Sequence, residues 1–341
     1  MSFFSSLVKL GFNSGGGWLA QKLTSGYPRI LMYHRFYRNE DNGGVSADMF
    51  ERQVAALSTS FECLTVSEVV ARIRSGSRIS RGRPVACITV DDGYSDFYNI
   101  AFPILRKYRV PATFYVTTGF VDRACWLWYD RLKWIVDINV TTVVEIGVHA
   151  FHPDEWNQDK LGTWSKLVSD FLKKDGSTIE RNLQDLEKQV GVSFPEKAPS
   201  FFEAVTWDQL REMQQAGVEI GGHTVNHYSL GRLATKDVIE ELEHCRKRLT
   251  EELDEEPRAF CYPNGQPADV PTDHSKVLRA AGFESSVVAY YDKAGITDLH
   301  ALRRHGVGKG WYGFQKTIYG VDQLGAMLLN RHNVFDWGGE A

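Results

Sequence analysis

Two short stretches of the sequence carry side chains that can hold a metal ion and activate water. TVDDGYSD places Asp91 next to Asp92, and GGHTVNHY places His223 four positions before His227. On a helical turn, this i, i+4 spacing would put both imidazoles on one side, close enough to share a cation. Two histidines and one carboxylate, with coordination positions left open, form a metal site suited to hydrolysis.

Each stretch taken alone also has an ordinary structural explanation. An Asp-Asp-Gly sequence is typical of a solvated turn, and a pair of histidines often belongs to a surface or a core. Both stretches, however, follow β-rich segments, PVACITV and VEIGG. The carboxyl ends of parallel strands collect the active-site residues of α/β folds. We therefore predict that the two stretches meet, with one carboxylate on the metal and its neighbour facing the substrate.

The surrounding helices and strands are predicted from end signals and apolar periodicity. Ser46 is a candidate N-cap, and capping boxes are indicated at Thr65 with Glu68 and at Thr206 with Gln209. A later amphipathic helix is predicted from an apolar stripe formed by Val238, Leu242, Cys245, Leu249 and Leu253. Repeated strand and helix patterns favour a barrel-like parallel sheet.

The alternation of predicted strands and helices is interrupted by one long segment, which divides the chain. We predict a barrel over residues 27–310, with a helical insertion over 122–200 that is rich in aromatic and charged residues. Its tryptophans, Trp126, Trp128 and Trp134, suit helix packing better than stacking on sugar rings. Residues 1–26 form an N-terminal segment for which a peripheral membrane contact is one hypothesis, and residues 311–341 form a C-terminal tail.

Composition excludes some classes of function for this 341-residue chain. A net charge of −4 and a pI near 6.2 provide no general attraction to nucleic acids or anionic membranes. The five cysteines are scattered and form no CxxC pair, as expected for reduced thiols. Neither a secretory signal nor a membrane-spanning run is predicted. These features together predict a cytoplasmic protein, with membrane association as an open option.

Several motifs, in their order along the chain, resemble a known family. TVDDGYSD and HTVNH are similar to the first two motifs of the polysaccharide deacetylases, the chitin-deacetylase-like carbohydrate esterases, and FCYPNG resembles the third. PILRKYRVPATFYVTTGFV and MFERQVAALSTSFECLTVSEVV look like segments of the bacterial exopolysaccharide members. The resemblance covers roughly residues 27–310 apart from the insertion.

The resemblance implies a fold and a set of residue roles. The fold would be α/β, a distorted parallel (β/α) barrel of the polysaccharide deacetylase type with a helical insertion. Asp92, His223 and His227 would bind a divalent metal, with Zn²⁺ preferred and Co²⁺, Ni²⁺ or Mn²⁺ as alternatives. Asp91 would be the general base for the attacking water. Tyr262 and Asn264 would lie at the oxyanion and substrate position, where a backbone N–H near Asn264 holds the oxyanion.

The sequence departs from the family pattern at two chemically important positions. Cys261 occupies the place of an arginine that holds the base in the family. Arg304 is a candidate replacement, and a plain surface arginine is the alternative. No clear Leu-x-His motif supplies the general acid, for which His305 and His300 are candidates.

Three other histidines have structural explanations. His34 is interpreted as a hydrogen-bonded strand-end residue of the barrel mouth, with a catalytic role as the alternative. His149 and His152 are interpreted as structural because no strand-end carboxylate is near them.

Three functions remain open on this basis. The leading hypothesis is a metal-dependent N-deacetylase acting on amino sugars of a bacterial surface polysaccharide or of its lipid- or nucleotide-linked precursor. A deformylase or cyclic-amide hydrolase could use the same site. A catalytically inactive carbohydrate-binding barrel is the third hypothesis, although a base beside a metal serves no purpose in a binding module.

Overall fold

Two of the strands that carry the site are buried along their whole length. The computed structural model describes residues 16–38, 44–124, 126–292, 294–307, 310–329 and the backbone of 333–334. All residues of Arg29–Tyr33 and Val85–Val90 are buried. Such continuous burial is typical of parallel strands that are covered on both faces.

The strands, in chain order, are β1 (Arg29–Tyr33), β2 (Phe36–Tyr37), β3 (Val45–Ser46), β4 (Glu62–Cys63), β5 (Val85–Val90), β6 (Ala112–Val116), β7 (Val144–Ile146), β8 (His149–Phe151), β9 (Glu219–Gly222), β10 (Ala259–Cys261), β11 (Ser285–Val288), β12 (Tyr290–Tyr291), β13 (Leu302–Arg303), β14 (His305–Gly306) and β15 (Asn333–Val334). The α-helices are α1 (Gly17–Leu23), α2 (Ala47–Ser60), α3 (Val66–Arg74), α4 (Phe102–Tyr108), α5 (Thr118–Val121), α6 (Trp128–Val136), α7 (Pro153–Gln158), α8 (Lys160–Phe171), α9 (Gly176–Val190), α10 (Trp207–Gln215), α11 (Thr235–Glu252), α12 (His274–Ala280), α13 (Trp311–Ile318) and α14 (Val321–Leu329).

Eight parallel strands follow one another in the order β13-β11-β10-β9-β6-β5-β1-β14, and β4 pairs with the start of β5. The two ends of this order, β13 and β14, are consecutive in the chain and are separated only by Arg304. The sheet therefore nearly closes on itself at Arg304. The predicted distorted parallel barrel with surrounding helices is confirmed.

The predicted helix starts are confirmed by the cap geometry. The Ser46 side chain accepts a hydrogen bond from the Met49 amide at the start of α2. Thr65 and Glu68 form a capping box at α3, and Thr206 and Gln209 form another at α10. The predicted stripe is buried on α11 at Val238, Leu242, Cys245 and Leu249, and at Leu253, which caps the end of the helix.

The insertion has a hydrophobic core of its own. Helices α6 to α9 enclose this core, which includes Trp128, Trp156 and Phe171, with Trp134 packed against it. Trp126 is buried and stacks on Phe202, so the interpretation of these tryptophans as packing residues is confirmed. The predicted insertion was entirely helical, whereas the structure also contains an antiparallel hairpin of β7 and β8.

The ends of the described chain are helical. In the N-terminal segment, α1 is described, whereas residues 1–15, on which most of the peripheral-contact hypothesis depends, lie outside the described residues. The predicted C-terminal tail contains α13 and α14, and α14 packs against α1. Among the described helices, none is both long and apolar enough to cross a membrane.

Candidate active site

The carboxyl ends of neighbouring parallel strands bring the predicted site residues together. Asp91 and Asp92 directly follow β5, and His223 directly follows β9. His34 follows β1, the strand on the other side of β5. Because all these strands are parallel, their ends meet at one edge of the barrel, which is where the sequence pattern predicted a site.

Asp92 lies between the two histidines of the second motif. Its Oδ1 is 3.4 Å from His223 Nε2 and 3.1 Å from His227 Nε2. All three side chains are buried, and their ligand atoms lie close enough together to hold one metal ion. The structure thus assembles the two-histidine, one-carboxylate donor set that the sequence predicted.

The hydrogen bond of His223 shows that this donor set fits a cation. His223 Nδ1 lies 2.7 Å from the Cys261 carbonyl oxygen, which can only accept, so Nδ1 carries the proton. In a neutral ring, Nε2 then directs a lone pair at Asp92 Oδ1. Two acceptors facing each other need a metal ion or a proton between them. Accordingly, although burial opposes charge on this ring, Cys261 and Asp92 hold the pKa of His223 well above its usual range.

The loop that carries the histidines is not the helical turn assumed from their spacing. Residues 223–229 are irregular, and the backbone enters the left-handed region at Thr224 (φ 66°) and His227 (φ 59°). Thr224 Oγ1 accepts a hydrogen bond from the His227 amide at 2.9 Å. Glu241 on α11 accepts from the amides of Val225 and Asn226 at 2.7 and 3.1 Å. This loop geometry, rather than helical periodicity, lets the two imidazoles converge.

Asp91 faces Arg304 across the point where the barrel closes. Arg304 Nη1 and Nη2 donate to the two Asp91 carboxylate oxygens, each at 2.7 Å. Its other donors go to the Val288 carbonyl (3.0 Å), Thr89 Oγ1 (3.1 Å) and Cys261 Sγ (3.2 Å). All five N–H groups of the guanidinium are thus used. Arg304 therefore makes the contact with Asp91 that the family pattern assigns to an arginine at position 261.

Both aspartates are held in the ionised state by these contacts. Burial would raise the pKa of Asp91, but the charge and hydrogen bonds of Arg304 hold it below its usual range. Burial also opposes the charge of Asp92, yet hydrogen bonds from His223 and His227 hold its pKa well below that range. Two adjacent carboxylates consequently have different partners: a pair of histidines for one and a guanidinium for the other.

His34, which the sequence analysis placed in the barrel mouth, lies beside Asp91. Its Nε2 is 3.6 Å from Asp91 Oδ2, and its side chain is 21% exposed. Burial lowers the pKa of this histidine, and the charge of Asp91 partly opposes that effect. The available signal was its place directly after a buried strand, the same signal that singled out Asp91.

The structure does not bring His305 or His300 to the site. Side chains alternate along a strand, so Arg304 points into the barrel and His305 points outward. The His305 ring stacks on Tyr291 at 3.9 Å, and burial with the charge of Arg29 lowers its pKa to about 3. His300 Nε2 instead accepts a hydrogen bond from Arg279 Nε at 3.2 Å.

The two residues predicted at the oxyanion and substrate position differ in placement. Tyr262 is buried in a separate apolar cluster, and its hydroxyl donates to the His300 carbonyl at 3.1 Å, so its ring does not face the site. Asn264 lies in the turn that follows β10, with a left-handed φ of 57°. Its Nδ2 is buried and has no hydrogen-bond partner within the described part of the chain.

Comparisons with known proteins agree with this architecture. Residues 78–286 match the family model for polysaccharide deacetylase. A poly-beta-1,6-N-acetyl-D-glucosamine N-deacetylase of Staphylococcus aureus (strain MRSA252) is 26% identical over 184 residues, which are 53% of this chain and 61% of that protein. A relative of the same description from Staphylococcus epidermidis is 24% identical over 186 residues, 53% of this chain and 61% of that protein. The matched region thus spans less than two thirds of these relatives.

Solved structures show the same fold. The deacetylase PplD of Streptococcus pyogenes, in complex with acetate, superposes with a TM-score of 0.55 at 19% identity, covering 88% of this chain and 98% of PplD. IcaB from Ammonifex degensii gives a TM-score of 0.53 at 18% identity, covering 86% and 97% of the two chains. Because the family model also matches more than half of the sequence, this chain belongs to the polysaccharide deacetylase family.

Proposed function

We propose that the protein is a metal-dependent hydrolase that removes N-acetyl groups from amino sugars of a bacterial surface polysaccharide or its precursor. The observation that carries this proposal is the different surroundings of two adjacent carboxylates. Asp92 shares its oxygen with two histidines, whereas Asp91 is paired with Arg304. Amide hydrolysis needs a group that polarises the carbonyl and a base that activates water, and these carboxylates suit the two tasks.

Asp92, His223 and His227 would hold the metal ion. Two imidazole nitrogens and a carboxylate oxygen are ligands that Zn²⁺ accepts, with positions left for water and substrate, and Co²⁺, Ni²⁺ and Mn²⁺ are alternatives. A bound divalent metal polarises the amide carbonyl and lowers the pKa of water. His223 is already oriented for this role because Nδ1 donates to the Cys261 carbonyl.

Asp91 would act as the general base. Its lowered pKa keeps it ionised at neutral pH, so it can accept the proton of the attacking water. The two hydrogen bonds from Arg304 hold the carboxylate in one orientation. Arg304 would thus position the base rather than touch the substrate.

His34 would pass to the leaving amine the proton that Asp91 takes from the attacking water, because its lowered pKa leaves the ring neutral and able to accept that proton. The separation of 3.6 Å between its Nε2 and Asp91 Oδ2 brings it within reach of the same reacting group. His305 and His300 are engaged with Tyr291 and Arg279, away from the site, and this placement supports His34 in their stead. Asn264, in the turn after β10, would offer a backbone N–H to the oxyanion.

Metal content and acetate release, measured on the same samples, test the proposal. Oligomers of β-1,6-linked N-acetylglucosamine are the first substrate to try, because the Staphylococcus relatives are named for that polymer. We expect wild type to bind one metal ion and to release acetate, and His223→Ala to do neither. His149→Ala, which removes a histidine of the insertion hairpin, is the matched control and should behave as wild type.

Other results would favour the remaining hypotheses. Metal binding with release of formate instead of acetate would identify a deformylase. Metal binding with neither product would direct the search to lipid- or nucleotide-linked precursors and to cyclic amides. If wild type binds the sugar and shows neither metal binding nor turnover, the proposal is contradicted. The remaining hypothesis is then a carbohydrate-binding barrel.

A further inference from the structure

We propose that the insertion is part of the metal site, because its Trp128 and Tyr129 hold the metal ligand His227 in place. This inference rests on the metal site of the proposed function. The sequence leaves the role of the insertion open: it could bind a partner, bind a lipid carrier or only cover the barrel. The contacts of α6 with the histidine loop instead indicate a role in setting metal affinity.

Two consecutive residues of α6 contact His227 in different ways. The indole Nε1 of Trp128 donates to the His227 carbonyl oxygen at 3.1 Å. The Tyr129 ring lies edge-on to the His227 imidazole, with ring centroids 5.1 Å apart and an interplanar angle of 69°. One contact fixes the backbone of the ligand, and the other limits the rotation of its ring.

His227 depends on such support more than His223 does. The Nδ1 of His223 is bonded to the Cys261 carbonyl, whereas the buried Nδ1 of His227 has no hydrogen-bond partner within the described part of the chain. The backbone of His227 is also left-handed, with φ of 59°. Such a conformation is unfavourable for a residue with a side chain and persists only where the surroundings impose it. The packing of Trp128 and Tyr129 supplies these surroundings.

A second helix of the insertion holds the neighbouring residue. The Tyr228 hydroxyl donates to Glu180 Oε1 on α9 at 3.0 Å. Glu180 also accepts two hydrogen bonds from Arg131 of α6, at 3.0 and 2.8 Å. Gly176, at the start of α9, packs so closely on the Tyr228 ring that a Cβ there would clash with it. Both α6 and α9 therefore fix the end of the histidine loop.

Tyr129 is itself anchored within the insertion. Its carbonyl oxygen accepts a hydrogen bond from Trp164 Nε1 at 3.1 Å, and its hydroxyl lies 3.3 Å from that of Tyr94. Tyr94 follows the Asp91-Asp92 pair and donates to Asp130 Oδ2 at 2.6 Å. The insertion is thus connected to both metal-binding stretches.

A comparison of the metal affinities of Trp128→Phe and Trp156→Phe tests the inference. Trp156 belongs to the same core, and its indole donates to the Ile138 carbonyl at 2.9 Å, away from His227. Each variant loses one buried indole N–H, so both should lower the thermal midpoint similarly. We expect Trp128→Phe to weaken Zn²⁺ and Co²⁺ binding about 10-fold, measured by competition with a chromophoric chelator. Trp156→Phe should bind both metals as wild type does.

Equal affinities of the two variants in folded protein would overturn the inference, while the deacetylase proposal would stand. Conversely, a selective loss in Trp128→Phe without acetate release from wild type would support the inference and contradict the proposed activity. Tyr129→Phe and Tyr129→Ala extend the test should Trp128→Phe not fold. The ring is retained in Tyr129→Phe, so wild-type affinity is expected there, whereas Tyr129→Ala should weaken binding and change the visible spectrum of bound Co²⁺. Equal affinity of these two variants would also overturn the inference.

Discussion

Replacement of Arg304 by methionine should affect stability and catalysis with opposite pH dependences. Arg304 is 1% exposed and donates to both oxygens of Asp91 at 2.7 Å. Removal of one partner leaves the carboxylate buried without its counter-charge, which typically costs about 3–5 kcal/mol. We expect Arg304→Met to lose about this much free energy of unfolding at neutral pH.

The pH dependence follows from the pKa of Asp91. In wild type this pKa is lowered, so the pair stabilises the protein above the unfolded-state pKa of about 3.9 and loses that effect as pH falls through the folded-state pKa. In the variant, the opposition from Arg304 is lost, so burial raises the pKa of Asp91. The variant should therefore become less stable as pH rises from the unfolded-state pKa through the raised one. The stability difference between the proteins should be largest at neutral pH and should shrink toward acid.

The pH dependence of catalysis should show the same rise in the pKa of Asp91. If Asp91 is the base, the acid limb of kcat/KM for acetate release should move to higher pH in Arg304→Met. The matched control is Arg303→Met, because Arg303 is one position earlier and pairs with Asp292 at 3.0 and 3.1 Å in a largely buried contact. This control should lose stability without moving the acid limb.

Two outcomes would refute the reasoning. An acid limb in Arg304→Met that coincides with that of wild type would mean that the pKa of the base does not depend on Arg304. A stability loss that grows toward acid pH would mean that the ion pair is not its source. Urea unfolding at several pH values and the kcat/KM profile separate these outcomes, since each reports one of the two properties.

Other variants test the remaining roles. Asp91→Asn should lower kcat/KM about 10²–10⁴-fold with metal retained; near-normal acetate release would exclude it as the base. His34→Gln should lower kcat by about 100-fold, whereas His305→Gln should retain wild-type kcat, and equal losses would contradict the assignment of the acid. Arg304→Met combined with Cys261→Arg should recover part of the lost activity, because β10 then supplies the guanidinium. If the double variant is no more active than Arg304→Met, position 261 cannot support the base in this barrel.

The cluster of Asp92, His223 and His227 could be predicted because its signals are local. Asp91, Asp92 and His223 each follow an apolar run, and the capping boxes at Thr65 and Thr206 mark where helices begin. In a parallel barrel the carboxyl ends of the strands lie at one edge, so residues that follow the strands are brought together by the topology alone. The convergence of the histidines was predicted for a helical turn, yet it depends on left-handed residues, which the spacing alone does not reveal.

For the partner of the base, the sequence offered Arg304, with a plain surface arginine as the alternative. Arg304 is 213 positions from Asp91, and nothing in the sequence around it distinguishes it from Arg303. Three consecutive residues, Arg303, Arg304 and His305, alternate between the outside and the inside of the barrel. Only the closure of the sheet between β13 and β14 shows that Arg304 is the one inside. The same alternation explains why His305, a reasonable acid by residue type, lies elsewhere.

Removal of the metal should destabilise the protein through the residues that converge on it. Asp92, Thr224 and His227 all have left-handed backbones, with φ of 82°, 66° and 59°, and His223 Nε2 faces a carboxylate oxygen. A bound cation would offset the cost of the left-handed backbones and the repulsion between the facing acceptor atoms. A metal at 100 times its Kd stabilises the folded state by about 2.7 kcal/mol. Chelation should lower the thermal midpoint of wild type, and Zn²⁺ should restore it. His223→Ala is the control and should respond to neither treatment. An equal response in His223→Ala would place the stabilising metal elsewhere, and no response in wild type would remove the basis for a metal at Asp92.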